Sequence, residues 1–390
     1  MKILLASMMP THPTTVGNRA RILNLCTALK SLGHDLHFAY IRREPGDLAA
    51  MARFHGEDRM HVADYRQPAA RSSLPHKLWR RTQAALRRDA AFTVPVDDWY
   101  DPALDDYFER LQRRHAFDAV VVEYVFLSRA LLKFGGGTLK ILDTHDVFTN
   151  RHREYVKAGL WPGWYSTTLD EELKALRRAD VVLTIQERES VLFRNALPGA
   201  RIVTVGHISE VAPPIVDWRA RTANSLLFVG NDNVMNTSGL DYFTRRVLPR
   251  VRRAIPDAHL RVAGSASAAI RSGAGIEKLG YVEDLGATYR MAWLALNPVR
   301  AGTGLAIKSV EALSHALPLV TTRTGSRGLE GLDARAFVEV PDDVAGAMAT
   351  AIIDLLSNES RRTAASAAAA AAIRRAHDAD REAISAALQA

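Results

Sequence analysis

The 390-residue chain contains a single cysteine, Cys26, so no disulfide can close within it. That excludes a disulfide-stapled secreted scaffold and fits a reducing compartment. Cys26 sits in an apolar helical pattern, where a core thiol is the ordinary reading and a nucleophile the rare one. Long hydrophobic runs are also lacking: no uncharged stretch approaches the length needed to span a bilayer. The opening MKILLASMMP has one Lys and an apolar run too short for a signal peptide. A cytoplasmic protein is expected, one that can still touch the inner face of a membrane. Acidic residues are absent from residues 71–88, RSSLPHKLWRRTQAALRR. At 100° per residue Lys77, Arg80, Arg81, Arg87 and Arg88 share one face, and Leu78, Trp79, Ala85 and Leu86 the other. Such a helix suits an anionic membrane surface; an ordinary surface helix has the same pattern.

Hydrophobic residues make up 47% of the chain and charged residues 24%. This is a soluble globular composition, and the length suits two domains. The net charge of +8 (51 basic, 43 acidic) fits an acidic partner: nucleic acid, membrane or a phosphorylated substrate. The basic residues are spread rather than gathered into a reader motif, so no nucleic-acid partner is expected.

Short apolar segments alternate with helical patterns. The strands are Lys2–Ser7, Leu36–Tyr40, Ala119–Tyr124, Lys140–Asp143, Val181–Thr184 and Arg201–Val205. After the Pro213-Pro214 linker come Ser225–Gly230, His259–Gly264, Leu294–Pro298 and Leu317–Thr322. Asp241–Ile255 reads as a helix, the alanine run Ala364–Ala372 as another, and a final helix starts near Asp378. The grammar is α/β, in two Rossmann-like halves with parallel sheets. The expected domains are 1–206 and 207–374, with a C-terminal helix at about 375–390 packing back on the first. Ligands in such sheets sit beyond the carboxyl ends of strands. That marks Gly17, Thr144–Val147, Gly230–Asn236 and Arg300–Gly304.

The stretch 301–313, AGTGLAIKSVEAL, follows a strand ending in Asn297-Pro298. Gly302 and Gly304 allow close backbone approach, and Thr303 is placed to cap the helix. Lys308 and Glu311, three apart, share one helical face near its start. There they either pair on a surface or hold a charged ligand, Lys308 on phosphate and Glu311 on two ribose hydroxyls.

The continuation VEALSHALPLVTTRTGSRGL, residues 310–329, resembles the nucleotide-binding signature of GT-B glycosyltransferases of family 4. A Glu-Ala pair and a small-residue helix precede Pro318, although Ala316-Leu317 replace the usual Gly before it. Gly17-Asn18-Arg19 and the helix ending in Leu32-Gly33-His34 look like that family's first loop and helix. LLFVGNDNVMNTSGLDYF looks like the start of its second domain, EKLGYVEDLGATYRMAWLALNP like its base-binding region, and DTHDVFTNRH like its His-bearing loop. The resemblance implies a GT-B fold, with two Rossmann-like domains facing each other across a cleft. It implies transfer of a sugar, with retention and no metal or cofactor, from a nucleotide diphosphate to a glycan or lipid-linked acceptor. Surface polysaccharide assembly is the implied setting.

Carried over by position, Glu311 binds the donor ribose and the Gly280-Tyr281-Val282 backbone meets the base. Gly17, with Asn18 and Arg19, approaches the diphosphate, with Gly230 on the facing loop. His145 lies near the transferred sugar, between Asp143 and Asp146; its alternative reading is a satisfied loop histidine. Two departures stand out. Thr303 occupies the position of the family's second Glu. Asn231 and Asn236 occupy those of its phosphate-binding Arg and Lys. A diphosphate still needs charge compensation, for which Lys308 is best placed, with Arg300 and Arg19 next. Two other readings share these residues: a GT-B nucleotide-sugar epimerase, and a non-catalytic sugar-nucleotide-binding scaffold.

Overall fold

The computed structural model describes residues 1–14, 16–66, 82, 89–157, 159–162 and 164–389. The basic stretch 71–88, apart from Thr82, lies outside the described residues. The chain forms two compact units. The first comprises Met1–Thr14, Asn18–Gly206 and Asp380–Ala390; the second comprises Thr15–Gly17 and His207–Ala379.

The first unit is built on a parallel sheet. Its strands are β1 (Lys2–Ser7), β2 (Asp35–Arg42), β3 (Met60–Asp64), β4 (Ala119–Glu123), β5 (Leu139–Asp143), β6 (Val181–Thr184) and β7 (Arg201–Thr204). Their order is β3-β2-β1-β4-β5-β6-β7. Strands β1 and β4 read as continuous apolar runs because helices cover both faces, and every residue from Ile3 to Ser7 and from Ala119 to Glu123 is buried. Winding reverses between β1 and β4, a switch point whose carboxyl strand ends are the place where ligands sit in such sheets.

The second unit repeats the plan with β8 (Ser225–Val229), β9 (His259–Ala263), β10 (Ile276–Gly280), β11 (Leu294–Asn297), β12 (Leu319–Thr322) and β13 (Phe337–Val340). The order is β10-β9-β8-β11-β12-β13. Alternation along β8 sends Leu226 and Phe228 into the apolar cluster on one face and Leu227 into that on the other. The switch point lies between β8 and β11, so the loops after these strands form the edge of a candidate site.

Two helices differ from the sequence expectation. The Asp241–Ile255 helix begins earlier, at Val234, because the Asn233 side chain accepts the Asn236 N–H at 2.9 Å and caps it. Within it, Phe243–Val247 is a π turn. Pro249 follows; having no N–H and a ring that crowds the carbonyl four residues back, it favours such a widened turn. The separate helices at Ala364–Ala372 and beyond Asp378 are one 30-residue helix, Glu359–Leu388. No Gly or Pro interrupts Ala372 to Asp378, so strong helix formers carry it through. The chain passes from the second unit to the first inside this helix, between Ala379 and Asp380, rather than at a break near 375.

Candidate functional sites

In the second unit the Ile307–Ser314 helix starts after the Gly-Thr-Gly turn, not at it. Ala306 occupies the cap position without a side-chain bond, so Thr303 does not cap the helix. Gly302 and Gly304 both have positive φ, 143° and 70°, which frees the loop to turn back. Arg327 fastens that loop: its Nε donates to Gly304 O and its Nη2 to Thr303 O, each at 3.1 Å. The sequence reading did not single out Arg327, because it lies in the next loop and meets the turn only through the fold.

Lys308 does not form an ion pair with Glu311. Its Nζ donates to Asn236 Oδ1 and lies 4.2 Å from the Phe228 ring centroid. The Asn236 amide in turn donates to Asn231 O at 2.8 Å and Asn231 Oδ1 at 2.9 Å. The two asparagines at the expected cation positions are thus the groups that hold Lys308. Burial lowers the Lys308 amine to about 7; the neighbouring Glu311 opposes the shift and Arg327 adds to it.

Glu311 is hydrogen-bonded by the Tyr289 hydroxyl, and His207 Nε2 lies 3.7 Å from its Oε1. Burial raises its carboxyl to about 7, with Lys308 and Tyr289 opposing. Its side chain nevertheless keeps 22% exposure, enough to reach a ligand. Tyr289 stacks on His315, ring centroids 4.5 Å apart. Tyr289 and His207 were missed because each comes from a different segment. Gly230 packs so closely that a Cβ there would lie 2.8 Å from the Phe228 ring and 2.9 Å from Asn236 Nδ2. Gly280 has a φ of 68°, followed by exposed Tyr281 and by Val282, which packs on the core. Arg300 is directed elsewhere: it pairs with Asp343 at 2.6 Å and lies over Tyr242.

In the first unit the carboxyl ends of β4 and β5 gather a buried polar cluster. His145 has a left-handed φ of 63°, and its Nε2 bonds Glu123 Oε2. Tyr124, also at positive φ, stacks on the imidazole at 3.9 Å. Asp143 Oδ2 also lies 3.9 Å from His145 Nε2, but both flanking aspartates are hydrogen-bonded by arginines. Asp143 takes a two-pronged bond from Arg21, Nε at 3.0 Å and Nη2 at 2.8 Å, and Asp146 accepts from Arg151 Nε at 2.8 Å. Burial and the adjacent Asp143 raise the Glu123 carboxyl; His145 opposes this. Glu123 and Arg21 were not read from sequence, since Glu123 ends an otherwise apolar strand. The Asn18 side chain bonds Tyr124, and Arg19 is engaged by Glu44 at 3.0 Å. Gly17 opens the Gly17–Ser31 helix.

Residues 223–358 match the family model "Glycosyl transferases group 1". No curated protein matches the chain. Solved structures do. A Staphylococcus aureus TarM variant in complex with fondaparinux, α-GlcNAc-glycerol and UDP aligns over all of both chains, with TM-score 0.70 and 9% identity. Sucrose-phosphate synthase from Thermosynechococcus elongatus aligns over 99% of this chain and 98% of its own, with TM-score 0.69 and 14% identity. The pneumococcal O-GlcNAc transferase GtfA, in complex with UDP and GlcNAc, covers 100% and 98%, with TM-score 0.67 and 11% identity. The chain therefore has the GT-B fold of these proteins, and its residues 223–358 are similar to the glycosyl transferases group 1 family.

Proposed function

We propose that this protein transfers a sugar, with retention, from a nucleotide-diphosphate donor to a hydroxyl of a glycan or lipid-linked acceptor. The observation that carries this reading is the pairing of Glu311 and Lys308 on one helix of the group 1 domain. The carboxylate is suited to two ribose hydroxyls, and the ammonium, held by Asn236, to the diphosphate. Arg327 positions the Gly-Thr-Gly turn whose N–H groups meet the donor, and it adds positive charge where negative charge develops on the leaving diphosphate.

The leaving phosphate takes the proton of the acceptor hydroxyl. The bond from the anomeric carbon to the phosphate oxygen breaks as that to the acceptor oxygen forms on the same face. His145, held by Glu123 and Tyr124, orients the transferred sugar. No metal enters this scheme; Lys308, Arg327 and the loop N–H groups supply the compensation. UDP-sugars are the first donors to test, because TarM and GtfA were solved with UDP.

The test is thermal stabilisation by a panel of nucleotide sugars, followed by product analysis with candidate acceptors. One base should raise the melting temperature in the native chain and fail to do so in Glu311→Ala. No shift with any nucleotide would overturn the donor site. Donor conversion without an acceptor would favour an epimerase instead. The basic stretch 71–88 is assigned to an anionic membrane surface bearing the acceptor. Charge reversal at Arg80, Arg81, Arg87 and Arg88 should abolish binding to phosphatidylglycerol vesicles, and unchanged binding would remove that assignment.

A further inference from the structure

A second constellation lies away from both sites, in the first unit. His37 is the third residue of β2, His61 the second of β3, and His115 the last residue of the Leu104–His115 helix. All three are remote from the carboxyl strand ends that carry His145. Ala39 registers with His61 in the parallel β2–β3 pair, and His37 lies two residues before Ala39, so His37 and His61 share one sheet face. The three rings meet with centroids 4.9 to 5.3 Å apart. One ring nitrogen from each lies within 4.8 Å of those of the other two. His37 Nδ1 and His61 Nε2 are 3.0 Å apart, and His115 Nε2 is buried without a hydrogen-bond partner.

We infer that His37, His61 and His115 form a binding site for a divalent transition-metal ion of the zinc class. Three imidazoles are the donor set that zinc, cobalt and nickel select over magnesium or calcium. Zinc–nitrogen bonds of about 2.0–2.1 Å in a tetrahedron set ligand nitrogens about 3.3 Å apart. The His37–His61 spacing is close to that already, and a rotation of the His115 ring at the helix end brings in the third. The fourth position is left to water. A carboxylate behind a ligating histidine fixes its tautomer and orientation; Asp35 Oδ2 stands 3.7 Å from His37 Nε2.

The charged groups around the cluster are Asp35, Lys2, Arg59 and Arg114. Burial, with these cations, depresses all three imidazoles below the ordinary histidine value, His61 to about 4. The cations oppose a dication, and Asp35 offsets them in part. The alternative is a metal-free cluster in which His37 and His61 share one N–H···N bond and His115 merely packs.

The test uses untagged full-length protein, stripped with a chelator and dialysed, then titrated with Zn²⁺ against a chromophoric competitor. One ion per chain is expected. His61→Gln and His115→Gln should each weaken it at least about a hundredfold, and Asp35→Asn about 10–100-fold. Substitution with Co²⁺ should give the visible absorption of a tetrahedral centre in the native chain and not in either glutamine variant. Circular dichroism of the metal-free variants checks that they fold; His61 is half-buried at an edge strand and should tolerate the change. Absence of binding, or binding unchanged in both glutamine variants, would overturn the site.

Discussion

Lys308 and Glu311 face opposite ionisation demands at one pH, which gives the proposed donor site a testable profile. In the free protein Lys308 titrates at about 7, below its ordinary value, and a bound diphosphate restores its charge. Above about pH 7 the complex therefore takes up a proton on forming, and affinity falls as pH rises. Glu311 titrates at about 7, above its ordinary value, and must be ionised to accept two ribose hydroxyls. Below about pH 7 binding releases its proton, so affinity falls as pH drops. Affinity for a nucleotide sugar should peak near neutrality. Lys308→Arg should flatten the alkaline limb and Glu311→Gln the acid limb, as read by calorimetry at each pH. Lys308→Ala should weaken binding about 10–150-fold, the value of one charge-assisted hydrogen bond of about 1.5–3 kcal/mol. A Lys308→Ala protein that binds normally would show that the diphosphate is held elsewhere. In the first unit, Glu123→Gln should reduce kcat at least about tenfold while leaving the donor dissociation constant unchanged, because in the proposed scheme Glu123 acts through its bond to His145. A matched loss in donor binding would mark the change as structural.

The elements show where local patterns sufficed. Strands β1, β4, β6, β8 and β11 were legible because burial on both faces demands unbroken apolar runs. Strands β3, β10 and β13 were not. Each lies at a sheet edge, and Met60–Asp64 and Ile276–Gly280 contain no buried residue at all. A strand half open to water has no hydrophobic signature to read. The loop after β8 depends on backbone contact that sequence spacing does not reveal. Gly264 has a φ of +89°, and a Cβ there would stand 2.3 Å from Gly230 O. Gly264→Ala should cost about 1–3 kcal/mol in urea unfolding of the second unit. It should also weaken nucleotide binding, since the displaced carbonyl belongs to the proposed donor loop. An unchanged midpoint would mean that this loop relaxes freely.

For the whole molecule the long Glu359–Leu388 helix is the feature that joins two units with one element. Its last turns belong to the first unit. Asp380 accepts the Gly206 N–H at 2.8 Å, Arg201 donates to Ala386 O, and Ile384 and Leu388 are buried. Removing residues 380–390 should destabilise the first unit by about 3–6 kcal/mol, counting the two large apolar side chains alone. Stabilisation of the second unit by nucleotide should survive. Loss of both together would show that the units do not fold independently.

Two parallel-sheet halves, the change of half after Gly206 and the loops with the candidate residues were legible from the chain alone. Those follow from periodicity and turn residues, which are local properties of the chain. What each side chain touches came from the fold. It turned Lys308 to Asn236 rather than Glu311, hydrogen-bonded His145 to Glu123 with Asp143 3.9 Å away, and took Arg300 and Arg19 into ion pairs with Asp343 and Glu44. It also brought His37, His61 and His115 together from two strands and a helix. Side-chain partners are set by which strands lie side by side, and adjacency in a sheet wound outward from its centre bears no fixed relation to distance along the chain.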